Sequence, residues 1–416
     1  MSDITDKTKI LITSYRISKT IKMDFDKGLD RKGTSCAKWD FLEEYFGRDD
    51  VLPMWVADSD WKTCEPVIEA LKERVKHGAF GYSKPCEKHH RAVVDWIERR
   101  YGWEIDPEWI VYTNSITSSL SIAVRTFADL GDSVVIQPPV YFPFFSLIKN
   151  SGCQVLENQL KYDGGRYSMD FQDLQQKFSP DDEERDRTSM MILCNPHNPV
   201  GRVWSEEELN RVAELALEED VMVVSDEIFS DYIYKDDHTP FSSISEEIAE
   251  NSMTLITPAK SFNIAGLKMA IAIIPDPNYR KRFEYARELL VKQPNILALT
   301  ALRAAYEHGD KWIDSQLEYL DENKRFALDF IKNNIPKVSA VEPEGTFLLW
   351  IDFNELNLDP DKLNELILDK AKVALIEGQK FGSGGEGFMR LNFACPRDTL
   401  KEGLQRIKNA VEDYYR

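Results

Sequence analysis

Short apolar runs that alternate with helical stretches dominate the middle of this chain and limit what it can fold into. The runs span residues 133–137, 153–157, 190–194, 221–225, 253–257 and 269–274. Parallel strands need long crossover connections, usually helices, so this alternation indicates parallel pairing. The pattern therefore predicts an α/β fold with a largely parallel sheet that is covered by helices.

Helical periodicity flanks this region on its N-terminal side and recurs within it. Apolar residues fall at helical spacing in residues 65–77 and 87–100, so both stretches are expected to form amphipathic helices. Ser205 followed three residues later by Glu208 forms a capping box, which predicts the start of a further helix.

The pattern changes after about residue 290. Long helical segments are followed by short strand candidates at 347–352, 373–376 and 389–394 and by a final helix through 402–414. We therefore predict three parts. These are an N-terminal arm with part of a small domain in residues 1–60, a large domain in 61–295 and a small C-terminal α+β domain in 296–416.

Composition narrows the class of protein. The chain has 416 residues, 43% of them hydrophobic, which is enough for one large core and a smaller one. Its net charge of −19 argues against nucleic acid or an anionic membrane as the main partner. The six cysteines are scattered without a Cys-x-x-Cys pair, so neither a disulfide framework nor a metal site is indicated. No apolar stretch is long enough to span a bilayer, and we expect a cytoplasmic protein.

Lys260 and Asp226 both follow predicted strands, at the edge where open α/β sheets bind ligands. An ordinary lysine has a pKa of about 10.4, so deprotonating it at neutral pH costs about 4–5 kcal/mol. A lysine nucleophile therefore needs help. Pyridoxal phosphate (PLP) provides it by binding the lysine nitrogen covalently, while a carboxylate beside the pyridine nitrogen keeps the ring an electron sink.

Four motifs in order carry a resemblance to a known family. They are Asn-Pro-His-Asn-Pro-Val-Gly at 195–201, Asp-Glu-Ile at 226–228, Lys-Ser-Phe-Asn-Ile-Ala-Gly at 260–266 and Met-Arg-Leu-Asn-Phe-Ala-Cys-Pro at 389–396. The chain resembles fold type I PLP-dependent enzymes of the aminotransferase superfamily. The stretches at 52–58 and 80–82 are typical of the carbon–sulfur lyase branch, the cystathionine β-lyases of the MalY and PatB type.

The resemblance implies roles for individual residues. Lys260 would hold the cofactor and then move the substrate's α-proton, Asp226 would face the pyridine nitrogen, and Tyr141 would stack on the ring. The remaining cofactor contacts would come from Asn198 at the phenolic oxygen and, at the phosphate, from Ser115, Ile116, Thr117, Thr257, Lys268 and Tyr82. Tyr82 would reach the phosphate of a neighbouring subunit, which predicts a homodimer. Arg390 would bind the substrate carboxylate, and Ala57 would also contact the substrate.

Three positions depart from the family pattern. Phe229 stands where aminotransferases carry a tyrosine and the lyase branch commonly a histidine, and its ring cannot hydrogen-bond the phenolic oxygen. The aldimine is then expected to titrate differently unless Tyr232 or Tyr234 supplies the missing hydroxyl. Ser115 replaces a common glycine, and Ala259 replaces a common serine. These changes leave the cofactor expectation intact but bear on reaction and substrate.

The leading hypothesis is a PLP-dependent β-lyase that cleaves cystathionine or other S-substituted cysteines to a thiol, pyruvate and ammonia. An aminotransferase, which uses the same residues, is the nearest alternative. A ligand-binding or regulatory protein on the same scaffold is the second alternative, against which the intact lysine argues.

Overall fold

The computed structural model describes residues 23–179, 187–235, 237–291 and 293–415. The part of the predicted N-terminal arm that precedes residue 23 lies outside these residues. No helix in the described ranges is both long enough and apolar enough to cross a membrane.

The described helices and strands are numbered here in chain order. The α-helices are α1 Ala37–Asp40, α2 Leu42–Phe46, α3 Glu65–His77, α4 Glu87–Tyr101, α5 Ile116–Phe127, α6 Pro143–Asn150, α7 Phe171–Phe178, α8 Glu206–Glu218, α9 Glu246–Glu250, α10 Pro258–Ser261, α11 Pro277–Leu290, α12 Ile296–His308, α13 Asp310–Asn334, α14 Pro360–Asn364 and α15 Arg397–Tyr414. The β-strands are β1 Leu52–Pro53, β2 Ile110–Thr113, β3 Ser133–Ile136, β4 Gln154–Glu157, β5 Lys161–Tyr162, β6 Tyr167–Ser168, β7 Thr188–Cys194, β8 Met222–Asp226, β9 Ser252–Ile256, β10 Ala270–Ile273, β11 Ser339–Val341, β12 Leu348–Asp352, β13 Val373–Ala374, β14 Ile376–Glu377 and β15 Phe388–Asn392.

The larger sheet has seven strands in the order β2-β10-β9-β8-β7-β3-β4. Neighbours from β9 to β4 pair in parallel, and β10 runs antiparallel to both β2 and β9. Every residue of β3, β7, β8, β9 and β10 is buried, which explains why these strands are continuous apolar runs in the sequence. The predicted mostly parallel sheet, covered by helices, is confirmed. Strand β2 was not predicted from the sequence.

Helices cover this sheet. Helix α12 packs against α3 and α4, and α11 packs against α5. On α4 the predicted face is buried, with Trp96 stacked on Tyr306 at 4.7 Å between ring centroids. On α3 only Val67 is fully buried, and Val75, which falls on the same helical spacing, remains 54% exposed.

The capping box that starts α8 forms as predicted. The Ser205 hydroxyl accepts a hydrogen bond from the Glu208 backbone N–H at 3.2 Å. The Glu208 carboxylate accepts one from the Ser205 N–H at 2.9 Å. Two N–H groups that no carbonyl of the helix reaches are thereby satisfied.

A second sheet, in the order β11-β12-β15-β14, is antiparallel throughout. The predicted strand at 373–376 divides in two, because β13 pairs in parallel with β1 whereas β14 pairs with β15. The β1 pairing joins the chain before α3 to the C-terminal part. The domain boundaries after residues 60 and 295 stay a prediction.

Candidate active site

One cavity of about 310 Å³ lies where the large sheet presents the carboxyl ends of its parallel strands. The strands β2, β3, β7, β8 and β9 all end at this edge, and the segments that follow them line the cavity. The predicted residues that line it are Ala57, Ser115, Ile116, Thr117, Tyr141, Asn198, Thr257, Lys260, Lys268 and Arg390. Of the remaining two, Asp226 lies buried at the end of β8, and Tyr82 is fully exposed away from the cavity.

Lys260 is held on the one-turn helix α10, which follows β9 directly. Thr257 caps this turn: its hydroxyl accepts from the Ala259 N–H at 3.0 Å and donates to the Met269 carbonyl at 2.7 Å. The Lys260 Nζ donates to the Ala57 carbonyl at 2.6 Å. Burial lowers the pKa of Lys260 to about 8, so a substantial fraction of the amine is neutral near physiological pH.

Asp226, the last residue of β8, is 2% exposed. Within the described ranges, its Oδ1 atom has no hydrogen-bond partner although it is fully buried. Burial raises the pKa of Asp226 to about 7, and the hydrogen bond from the Ile228 N–H and the nearby charge of Lys260 oppose that rise. A buried carboxylate oxygen without a partner is costly, so a cationic or donating group is expected beside it.

Arg390 lies in β15, lines the same cavity and is 4% exposed. Its guanidinium donates to Asn198 Oδ1 and to the Trp55 carbonyl, both at 2.9 Å. No described carboxylate forms an ion pair with it, and its buried Nε has no partner among the described residues. Burial lowers its pKa to about 10. A buried guanidinium held only by neutral oxygens is suited to bind a carboxylate.

The phosphate-side residues gather at the start of α5. Ser115 is the N-cap of that helix, and its hydroxyl accepts from the Ser118 N–H at 3.1 Å. Ile116 and Thr117 form the first turn, whose free N–H groups favour an anion. Lys268, in the left-handed backbone region at φ 62°, lines the same cavity.

Several residues of the cavity wall are not among the predicted site residues. These further lining residues include Trp55, Phe142, Ile228, Met269 and Ile376. Trp55 lies inside the motif at 52–58 and Phe142 directly follows Tyr141, whereas no sequence pattern links Ile376 to the site. These contacts depend on the packing of chain segments far apart in sequence.

Phe229 lines the cavity, with the Lys260 Nζ 5.8 Å from its ring centre. Tyr232 does not supply a hydroxyl there, because its phenol oxygen lies 3.0 Å from the Lys260 carbonyl oxygen and 2.9 Å from Gln316 Oε1 and has only one proton to donate, to one or other of them. Tyr234 points elsewhere and packs under Lys324, whose Nζ lies 4.3 Å from the ring centre. Neither tyrosine therefore supplies the hydroxyl that Phe229 lacks.

Fold and site together define a class. Residues 54–407 match the family model described as aminotransferase class I and II, and the chain belongs to this family. It is 44% identical over 391 residues to the cystathionine β-lyase PatB of Bacillus subtilis, a match that covers 94% of this chain and 100% of PatB.

Solved structures agree. Cystalysin from Treponema denticola, which contains PLP, has a TM-score of 0.90 at 36% identity, over 94% of this chain and 99% of cystalysin. The PLP-bound C–S lyase from Staphylococcus hominis has a TM-score of 0.88 at 31% identity, again over 94% and 99% of the two chains. The predicted family, fold type I architecture and PLP dependence are confirmed.

The chain's own residues also fit this cofactor. The unpartnered Asp226 oxygen suits a protonated pyridine nitrogen, and the start of α5 with Lys268 suits a phosphate. Lys260 lines the same cavity, with an amine whose pKa is already lowered.

Proposed function

We propose that the protein is a PLP-dependent carbon–sulfur β-lyase that acts on S-substituted cysteines such as cystathionine. The observation that carries the proposal is the pairing, in one cavity, of a lysine with a lowered pKa and a buried arginine that lacks a carboxylate partner among the described residues. An α-amino acid supplies both an amine for the lysine side and a carboxylate for Arg390. The relatives named C–S lyase and cystathionine β-lyase favour β-elimination as the outcome.

The overall reaction balances with one water. The substrate R–S–CH₂–CH(NH₃⁺)–COO⁻ and H₂O give R–SH, pyruvate and NH₄⁺. When bound, PLP supplies an electron sink for the negative charge that develops at the α-carbon. The protein's part is to hold the substrate, move protons and keep the ring nitrogen protonated.

Proton movement is assigned to Lys260. Its amine, whose pKa burial already lowers in the cofactor-free protein, would take the α-proton and return a proton to the leaving sulfur. Asp226, as an anion, would stabilise the protonated pyridine nitrogen. Arg390 would orient the substrate through its carboxylate. Since Asn198 Oδ1 already accepts from Arg390, the Asn198 amide N–H groups are left to donate to the phenolic oxygen of PLP.

Tyr141 is assigned to the ring face, and Ser115, Ile116, Thr117, Thr257 and Lys268 to the phosphate. Ala57, whose carbonyl accepts from Lys260, would meet the substrate when that lysine is displaced. These assignments rest on the shared cavity and on the family motifs.

A homodimer with shared active sites is part of the proposal. Tyr82 is fully exposed in this subunit, together with the half-exposed Phe80 and Val75 on the same stretch of chain. Exposed aromatic residues next to one another suit burial against a second copy. Tyr82 would then reach the partner's phosphate site. We also propose a cytoplasmic location, which the six free cysteines support.

The test is pyruvate release from cystathionine and from S-methylcysteine, measured by a coupled dehydrogenase assay. The proposal expects stoichiometric thiol and pyruvate, and it fails if neither substrate gives pyruvate at any concentration. The aminotransferase alternative, favoured by the family's own description, predicts a different result. An amino acid without a β-leaving group, such as alanine, would convert the bound cofactor to its amine form and release a keto acid.

A further inference from the structure

The Arg390 side of the cavity has apolar walls. Ile376 lies directly opposite Arg390 in the β14–β15 register, so both side chains project from the same face of the sheet. Phe142 meets Phe381 edge to face at 5.7 Å between centroids, and the Arg390 Cζ lies 5.2 Å from the Phe381 ring centre. The guanidinium is therefore embedded in hydrocarbon and aromatic surface.

Trp55 forms the next part of this wall and is held in place. Its ring packs between Tyr45 and Phe46, at centroid distances of 4.7 and 5.2 Å. Its indole N–H donates to the Lys38 carbonyl at 3.2 Å, which leaves no polar group of the ring for the cavity. The wall is thus preformed and apolar.

The charges that line the cavity are already assigned. Its cationic lining residues within the described chain are Lys260, Lys268 and Arg390, and no carboxylate of that part of the chain lines it. The proposed function uses all three cations for the reacting amine, the phosphate and the substrate's α-carboxylate. Within this subunit, none remains for a second charged group on the substrate.

Cystathionine carries such groups, because the far end of its sulfur substituent is a second amino-acid zwitterion. Placing an ammonium and a carboxylate against Trp55, Phe142 and Ile376 would strip both of water without giving them partners. An alkyl or aryl substituent would instead gain free energy from burial on the same surface.

We infer that the preferred substrates are cysteines whose sulfur carries an uncharged, apolar alkyl or aryl group, with cystathionine a poorer one. The inference deepens the proposed function and rests on it. The residues that select the substituent are Trp55, Phe142 and Ile376.

The first experiment compares kcat/KM for pyruvate release from S-methyl-, S-ethyl-, S-propyl- and S-benzylcysteine and from cystathionine. We expect kcat/KM to rise by about 4-fold for each added methylene, and S-benzylcysteine to exceed cystathionine by about 10-fold or more. A flat alkyl series, or cystathionine as the best substrate, would overturn the inference and leave the lyase assignment standing. Pyruvate from none of them would instead reject the lyase assignment.

A binding measurement tests the wall without turnover. Norleucine and 2-aminoadipate have side chains of similar length, one ending in a methyl and the other in a carboxylate. Calorimetry on the PLP-loaded protein is expected to show norleucine binding about 10-fold more tightly or better. Tighter binding of 2-aminoadipate would refute the inference.

A variant that places a charge in the apolar wall, compared with a control variant outside the cavity, tests the role of the wall. Phe142 is 37% exposed, so Phe142→Arg is compatible with folding, and Leu217→Arg on α8, at 40% exposure and outside the cavity, is its control. Phe142→Arg is expected to lower the S-benzylcysteine to cystathionine ratio of kcat/KM by about 10-fold, whereas Leu217→Arg leaves it unchanged. An unchanged ratio in Phe142→Arg would count against this assignment of the wall.

Discussion

Replacing Asp226 with asparagine is expected to have opposite effects on the cofactor-free protein and on the enzyme. The carboxylate is buried at the end of β8, and burial raises its pKa from an ordinary 3.8 to about 7. Because the folded pKa lies above the unfolded one, the unfolded chain binds fewer protons between about pH 4 and pH 7. Asp226 therefore destabilises the cofactor-free protein increasingly as the pH rises through this window.

The magnitude follows from the two pKa values. Each pKa unit corresponds to about 1.4 kcal/mol, so the cost approaches roughly 4 kcal/mol above pH 7 and is roughly 1.7 kcal/mol near pH 5. Asp226→Asn keeps an oxygen that can accept from the Ile228 N–H but removes the charge. The cofactor-free variant is expected to be more stable than the wild type by up to about 4 kcal/mol near pH 8 and by about 2–3 kcal/mol less near pH 5.

Urea unfolding of the cofactor-free proteins at several pH values measures this difference. Asp24→Asn, which removes one charge from an exposed carboxylate that does not line the cavity, serves as the control. The same Asp226→Asn protein, loaded with PLP, is expected to lose most of its activity, since the neutral amide cannot stabilise a protonated pyridine nitrogen. A variant less stable than the wild type near pH 8, or a difference that does not vary with pH, would refute the reasoning.

Three further predictions concern the other site residues. In the cofactor-free protein, the rate at which an amine-directed reagent modifies Lys260, followed by peptide mapping, is expected to rise through about pH 8. A rise only near about pH 10.4, as for an ordinary lysine, would contradict the lowered pKa. Arg390→Ala is expected to lower kcat/KM for pyruvate release by about 10²-fold or more. Arg390→Lys is expected to recover only part of the loss, because an ammonium cannot donate the two parallel hydrogen bonds that a guanidinium gives a carboxylate. Full activity in the lysine variant would argue against carboxylate binding at this position. If Tyr82 acts across a dimer, a mixed dimer of one Tyr82→Ala subunit and one Lys260→Ala subunit contains one intact site. Mixing the two variants is then expected to restore about a quarter to a half of the wild-type activity, whereas no recovery in verified mixed dimers would contradict the shared site.

Much of the fold was predictable because the buried strands have a clear sequence signature. Strands buried on both faces, such as β8 and β9, appear in the sequence as mainly apolar runs, and the C-terminal ends of these two strands fix where Asp226 and Lys260 lie. Strand β2 was not predicted, and its place beside β10 depends on pairing between the first and the last strand of this sheet in chain order. Likewise, no local sequence signal shows that residues 373–376 divide into two strands that pair with β1 and β15.

Within the site, motifs identified the polar residues but not the surfaces around them. Lys260 and Arg390 lie in recognisable patterns, whereas Phe142 and Ile376 are ordinary apolar residues whose position depends on tertiary packing. The bond from Arg390 to Asn198 joins residues 192 positions apart, and no spacing rule could supply it. The same holds for Tyr232, whose hydroxyl turned out to support α10 rather than the cavity.

The most direct test of the central claim is to find where PLP attaches. The PLP-loaded protein is reduced with borohydride, digested and analysed by mass spectrometry. A pyridoxyl adduct on the peptide that contains Lys260, absent in Lys260→Ala, is the predicted result. An adduct on a different lysine such as Lys268, or no adduct on a fully loaded sample, would contradict the account.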